Sequence, residues 1–131
     1  MLSNPKDKIT AEEQCNVIYE IPCKDCDAVY IGETKRKFKQ RVQEHKRAVK
    51  NGDVNKNEIA DHSWSNDHEF DWNGKKIIDR ERGWTARKIK ETINSIRRDK
   101  HINSISYQLP AIWLPALRKN EIQRRNILAR N

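Results

Sequence analysis

"CNVIYEIPCKDCDAVYIG", residues 15–32, holds two runs rich in β-branched and aromatic residues on either side of a Cys-x-x-Cys knuckle. "CNVIYEIP" and "AVYIG" each read as a strand, and the five residues Cys23 to Asp27 are short enough for a hairpin, with aspartates suited to its turn. A redox pair would place its first cysteine at a helix N-terminus, which this turn does not provide. Zinc needs four soft or borderline ligands in a tetrahedron. Cys15 is one further candidate, but the strand it precedes alternates away from the turn. His62 and His68 in "DHSWSNDHEF" are better placed, because a helix end and a turn between them let both converge on one ion. Cys23, Cys26, His62 and His68 thus form a candidate Cys2His2 zinc site. Four protein ligands leave no position for a hydrolytic water, so the site would be structural.

Working outward, Gly32 is expected to end the second strand and Thr34 to cap a helix from Lys35 to about Lys50, stopped by Asn51-Gly52. Phe38, Val42, His45 and Val49 follow the 3-4 spacing of a buried stripe. Arg41 lies four residues before His45, about 40° round the helix, so the two share one edge of that face. A short helix around 57–64 follows, then the turn-like "SNDHEFDWNG", then "KKII" as a third strand. The segment 80–98 reads as a third main helix with Ala86, Ile89, Ile93 and Ile96 on one side. After it, "HINSISYQLPAIWLP" is extended and irregular, and 116–131 is basic with helical propensity. The order β-β-α-α-β-α predicts an α+β fold, a small three-stranded antiparallel sheet flanked by helices. The expected organisation is an N-terminal linker over 1–14, one domain over 15–117 and a basic tail over 118–131.

A chain of 131 residues that is 35% hydrophobic and 35% charged, with mean hydropathy −1.05, supports one small core that a bound metal would reinforce. Its net charge of +8 calls for a polyanionic partner. The charge is segregated: residues 35–50 carry eight Lys or Arg and one acid, whereas 51–79 carry seven acids and three bases. Lys35, Arg36, Lys37, Lys39, Arg41 and Lys46 are therefore the candidate phosphate contacts, and nucleic acid is preferred to a membrane. No run approaches the roughly 20 apolar residues of a membrane span, and no signal-peptide core opens the chain. Three cysteines, an odd number, favour metal-bound thiolates in a reducing, intracellular compartment.

Cutting a phosphodiester requires a base for water, positive charge for the transition state and help for the leaving oxygen. Tyr19 and Tyr30 stand on neighbouring predicted strands, Arg41 and His45 share a helix edge, and Glu81 could hold a divalent cation. Singly, each has a plain structural account: core tyrosines, a packed histidine, a surface arginine, an acid favouring a helix N-terminus.

Together, "VIY" at 17–19, "YIG" at 30–32, Phe38-x-x-Arg41-x-x-x-His45, Glu81 and Asn103 resemble the signature of the GIY-YIG endonuclease superfamily, with Val17 standing where a glycine is usual. The closer resemblance is to the endonuclease domain of Penelope-like retroelements. It rests on the cysteine pair between the tyrosine motifs, the paired histidines, "IIDRERGWTARKIKE" and "LPAIWLP", and it spans roughly 15–115. That resemblance implies a DNA endonuclease in which a tyrosine, Tyr30 or its neighbour, assists as general base. It further implies that Arg41 contacts the scissile phosphate and that His45 bonds a tyrosine hydroxyl or assists proton transfer, with a glutamate holding Mg²⁺ or Mn²⁺ and a structural Zn²⁺ bracing the hairpin. It also implies fusion to a reverse transcriptase, nicks whose 3′-hydroxyls prime reverse transcription, and a nuclear setting. Glu81 and Glu91 are the candidate cation ligands. On a helical wheel Glu91 falls opposite the isoleucine stripe while Glu81 flanks it, so Glu81 is the expected one. A catalytically inactive, zinc-containing nucleic-acid-binding module of the same fold is the alternative.

Overall fold

The computed structural model describes residues 10–98 and 100–102. After a 3₁₀ turn at Ala11–Glu13 come β1 (Val17–Pro22), β2 (Val29–Thr34), α1 (Phe38–Asn51) and α2 (Glu58–Asn66). A second 3₁₀ turn at Trp72–Gly74 then leads to β3 (Lys76–Arg80) and α3 (Trp84–Arg97). The strands form one antiparallel sheet in the order β2-β1-β3. This is the α+β arrangement expected from the element order.

The central strand explains the packing. Val17, Ile18, Tyr19 and Ile21 are each 0% exposed, so β1 is covered on both faces and reads as a nearly continuous apolar run. On one face Val17, Tyr19, Ile21 and Cys23 meet Phe38 and Val42 of α1, Ile59 of α2 and Phe70. On the other, Glu20 and Glu33 pair with Arg98 and with Arg87 and Lys88 of α3. Helices therefore cover both faces, and β2 remains an edge strand. Its outer side is met at Val29 by residues 100–102, through the Val29 N–H to Lys100 carbonyl bond (2.9 Å) and the Ile102 N–H to Val29 carbonyl bond (2.8 Å). A register shift between Ile18 and Tyr19 leaves Ile78 of β3 as an extra residue, a bulge that twists the outer strand.

Three boundaries differ from expectation, each for a local reason. Gly32 does not end β2, because its backbone pairs with Tyr19 and the ladder continues to Thr34 opposite Val17. Thr34 is thereby held as a strand residue, and its hydroxyl accepts from the Arg36 N–H (3.1 Å) in a tight turn rather than capping a helix. The first helical N–H, that of Phe38, is satisfied instead by the Gln14 carbonyl at 2.8 Å, so α1 begins three residues later than predicted. Gly52 stops it as expected, in a left-handed conformation (φ 69°). The third helix starts at Trp84 rather than 80, with Gly83 as its N-cap.

Its buried side also differs. Arg87, Thr92 and Ser95 are the buried positions, while Ala86, Ile89, Ile93 and Ile96 are only half-buried. Arg87, 3% exposed, donates to the Glu33 carboxylate and to the carbonyls of Glu81 (3.3 Å) and Arg82 (3.1 Å). A buried ion pair with its remaining donors satisfied thus seats α3 on β2 where an apolar stripe was expected.

Candidate active site and metal site

The strand register puts Tyr19 opposite Gly32 and Tyr30 opposite Ile21, so both tyrosines project from the face covered by α1. Their ring centroids are 6.0 Å apart, and Tyr19 also packs on Phe38 at 5.2 Å. Tyr19 is fully buried, whereas Tyr30 is half-buried at the sheet edge. Burial raises the Tyr19 hydroxyl well above the ordinary phenol range and pushes Tyr30 up to about 12, while the Arg41 guanidinium opposes both shifts. His45, one turn after Arg41 on α1, is 1% exposed and meets the Tyr19 hydroxyl through Nε2 at 2.7 Å. Burial, then the charge of Arg41, lowers its pKa to about 3, so the imidazole is neutral at physiological pH. Arg41 is itself half-buried and steadied by Glu44, which also pairs with Arg36.

Gly32 makes this cluster possible. A β-carbon built there would lie 2.7 Å from Tyr30 Cε1 and closer still to the hydroxyl end of Tyr19. The glycine's φ is unremarkable; close approach is the constraint. Gly32→Ala is therefore expected to displace both rings, costing about 1–3 kcal/mol by overpacking. Thermal melts should report that loss, and phosphodiester cleavage should fall with it.

The carboxylates are placed differently from expectation. Glu81 lies in the turn between β3 and α3, its N–H on the Asn16 carbonyl (2.9 Å). Its carboxylate accepts from the Gly83 N–H (3.3 Å) and pairs with Lys90 (3.4 Å), and those two partners hold its pKa below the usual value. Glu81 is not among the charges that act most strongly on Tyr19 or Tyr30. Glu91 is the carboxylate whose charge reaches the tyrosines: it acts on Tyr19 and Tyr30, and it sits in the field of Arg41. Burial, with Glu33 and Glu58 adding repulsion, pushes it up to about 7. The wheel misplaced it because α3 buries Arg87, Thr92 and Ser95. Glu91 stands about 40° from both Arg87 and Ser95, inside that arc.

Of the expected phosphate contacts, Lys35, Arg36 and Lys37 lie before α1, in the turn that follows β2 and at the N-cap. Lys37 pairs with Glu13 (2.8 Å) and Arg36 with Glu44. Lys39 is exposed on α1, and the Lys46 ammonium sits 5.5 Å from the Trp72 ring centroid, beside a cavity also lined by Lys24 and Phe70. Asn103, "LPAIWLP" and the tail over 118–131 fall outside the described residues.

Cys23, Cys26, His62 and His68 do converge, their ligand atoms all within 4.8 Å of one another. Cys23 Sγ is 3.6 Å from His68 Nδ1, Cys26 Sγ is 3.5 Å from His62 Nε2, and the two nitrogens are 3.3 Å apart. Zinc–sulfur bonds of about 2.3 Å and zinc–nitrogen bonds of about 2.0–2.1 Å in a tetrahedron require S···N edges of about 3.6 Å and an N···N edge of about 3.3 Å. The four donors therefore fit Zn²⁺. Backbone bonds from Lys24 N–H to Glu69 carbonyl (2.8 Å) and from Asp71 N–H to Pro22 carbonyl (2.9 Å) dock the segment after α2 onto the end of β1. An ion held by these four residues would staple the hairpin to the segment carrying His68.

Sequence reasoning missed Asn57. Its side-chain oxygen caps α2 by accepting from Ile59 N–H (3.0 Å) and Ala60 N–H (3.1 Å), while its amide nitrogen meets His45 Nδ1 at 2.9 Å. An Asn just before "EIADHSW" was a legible cap signal, but nothing in its spacing announced His45. Among the described residues, no helix is long and apolar enough to cross a membrane.

The GIY-YIG catalytic domain family matches residues 15–94 of the chain. No curated protein and no solved structure matches it.

Proposed function

The chain belongs to the GIY-YIG catalytic domain family, which implies a nuclease-type function with DNA as substrate, and on that premise we propose that it is a metal-dependent endonuclease that nicks DNA. The observation that carries this reading is the electrostatic coupling of Tyr30 to Arg41 and Glu91 beside the Tyr19–His45 hydrogen bond.

In this reading Tyr30, the more accessible ring, serves as general base in its tyrosinate form: its own proton leaves first, to solvent at the sheet edge, and the oxyanion then takes a proton from the attacking water. Burial holds the phenol proton of Tyr30, whose pKa stands at about 12 even with the Arg41 guanidinium opposing the shift, so the tyrosinate is a minor form at neutral pH. Arg41 also receives the scissile phosphate and neutralises charge that builds on its oxygens. Glu91 takes the place expected for Glu81 and would be the carboxylate that holds a divalent cation; Glu33 is already paired with Arg87 and Lys88. When bound, Mg²⁺ or Mn²⁺ would supply Lewis-acid polarisation of the phosphate. Lys39 and Lys46, with Lys35 to Lys37 before the helix, would track the DNA backbone without reading sequence.

The finer setting rests on the sequence resemblance to Penelope-like endonuclease domains and on the fit of Cys23, Cys26, His62 and His68 to zinc. We place the chain in a retroelement polypeptide with a reverse transcriptase, acting in the nucleus, where each nick leaves a 3′-hydroxyl primer. The test is the chemistry of the cut ends on an end-labelled duplex with Mg²⁺. A 3′-hydroxyl that a polymerase extends directly is expected, with Arg41→Ala reducing cutting by about 10²-fold or more. Blocked 3′-phosphate ends would overturn the priming role.

A further inference from the structure

We infer that Asn57 is a positioning residue which fixes the tautomer of His45 and so directs a hydrogen bond from the imidazole onto Tyr19. The inference rests on the nuclease reading for its consequence and on geometry alone for its structural half.

The Asn57 amide has one workable orientation. Its oxygen faces two backbone donors, Ile59 N–H at 3.0 Å and Ala60 N–H at 3.1 Å, so turning the amide over would set N–H against N–H at the start of α2. The amide nitrogen is thereby left toward His45 Nδ1 at 2.9 Å, nearer than the 3.3 Å from Nδ1 to the Asn57 oxygen, which already accepts from the two backbone donors. An amide nitrogen can only donate, so Nδ1 must accept and carries no proton. A neutral imidazole then holds its proton on Nε2, which faces the Tyr19 hydroxyl at 2.7 Å. The His45 Nε2–H donates and the Tyr19 oxygen accepts.

Acceptance from His45 leaves the hydroxyl proton of Tyr19 free to be given elsewhere, and Tyr30, whose pKa the Tyr19 hydroxyl lowers by hydrogen bonding, is its neighbour. All the hydrogens from Asn57 outward point toward Tyr30, so negative charge developing on that oxygen is supported. With the opposite tautomer, Nε2 would accept the Tyr19 proton and withdraw that support. The cap also belongs to α2, the helix that carries His62, so the metal site and the tautomer share one rigid element.

Asn57→Asp separates capping from positioning, since aspartate caps a helix as well as asparagine but cannot donate to Nδ1. Long-range ¹H–¹⁵N spectra of the zinc-loaded chain should show His45 protonated on Nε2 in the wild type and on Nδ1 in the variant. Melting temperature, zinc content and KM for DNA should hold while kcat falls on the order of 10²-fold or more. Asn57→Ser, which caps but is too short to reach Nδ1, should keep the fold and give mixed tautomers with an intermediate kcat. A wild-type ring protonated on Nδ1 would overturn the inference whatever the activity. So would a swapped tautomer with unchanged kcat. A wild type showing the Nε2 proton but no cleavage would instead overturn the nuclease reading, because the spectrum does not depend on turnover.

Discussion

Glu91→Gln is expected to abolish nicking, by on the order of 10²–10³-fold or more, while melting temperature, zinc content and DNA affinity stay close to wild type. The amide keeps the volume of the carboxyl and removes its charge. Because Glu91 sits half-buried beside Glu33 and Glu58, losing that charge relieves repulsion and should not destabilise the chain. Glu81→Gln is the matched control. Glu81 shapes the turn into α3 through Gly83 and Lys90 at the solvent-facing surface, where substitutions change stability little, so nicking should survive it. Each variant replaces one carboxylate by its amide, Glu81 in the turn before α3 and Glu91 on the helix itself. Loss of nicking in Glu81→Gln with retention in Glu91→Gln would reverse the assignment.

Cys23→Ser and Cys26→Ser are expected to have the largest effect on stability. The ion would join the end of β1 to the segment at His68 and to α2 through His62, and Cys23 is part of the apolar core with Phe70. Structural zinc contributes on the order of 10 kcal/mol to small metallo-domains, more than a core of this size can replace. Zinc should measure near one per wild-type chain and near zero in either variant, with cooperative melting lost. A variant that lacks zinc yet melts cooperatively at the wild-type temperature would show that the four side chains are not a structural site.

Much of the fold was legible because its signals are local. The hairpin, the Cys-x-x-Cys turn, the Phe38/Val42/His45 stripe and the Gly52 stop all depend on spacing within one element, and each is present in the structure. The Cys2His2 grouping was readable too, since few other residues among the described ones offer soft ligands. What escaped depends on tertiary pairing. Thr34 looks like a cap until Val17 holds it in the ladder. Gly32 looks like a strand end until two tyrosine rings are seen to cover it. The isoleucines of α3 look like its buried face, but the Arg87–Glu33 ion pair turns the helix so that Glu91 points inward. Buried charge pairs defeat an apolar-stripe reading, because helical periodicity records hydrophobicity and the partner lies 54 residues away. Asn57 was missed for the same reason, its contact with His45 spanning 12 residues and two helices.

The claim that matters most is that the edge of β2 performs hydrolysis and does not merely bind. Incubation of the zinc-loaded chain with supercoiled plasmid, at a concentration where the plasmid is bound, measures this directly. The expected result is conversion to open circles with Mg²⁺, stopped by withholding the cation and by Glu91→Gln. Plasmid that is retained by the protein yet stays supercoiled across Mg²⁺ and Mn²⁺ would contradict the account and leave a zinc-braced nucleic-acid-binding module.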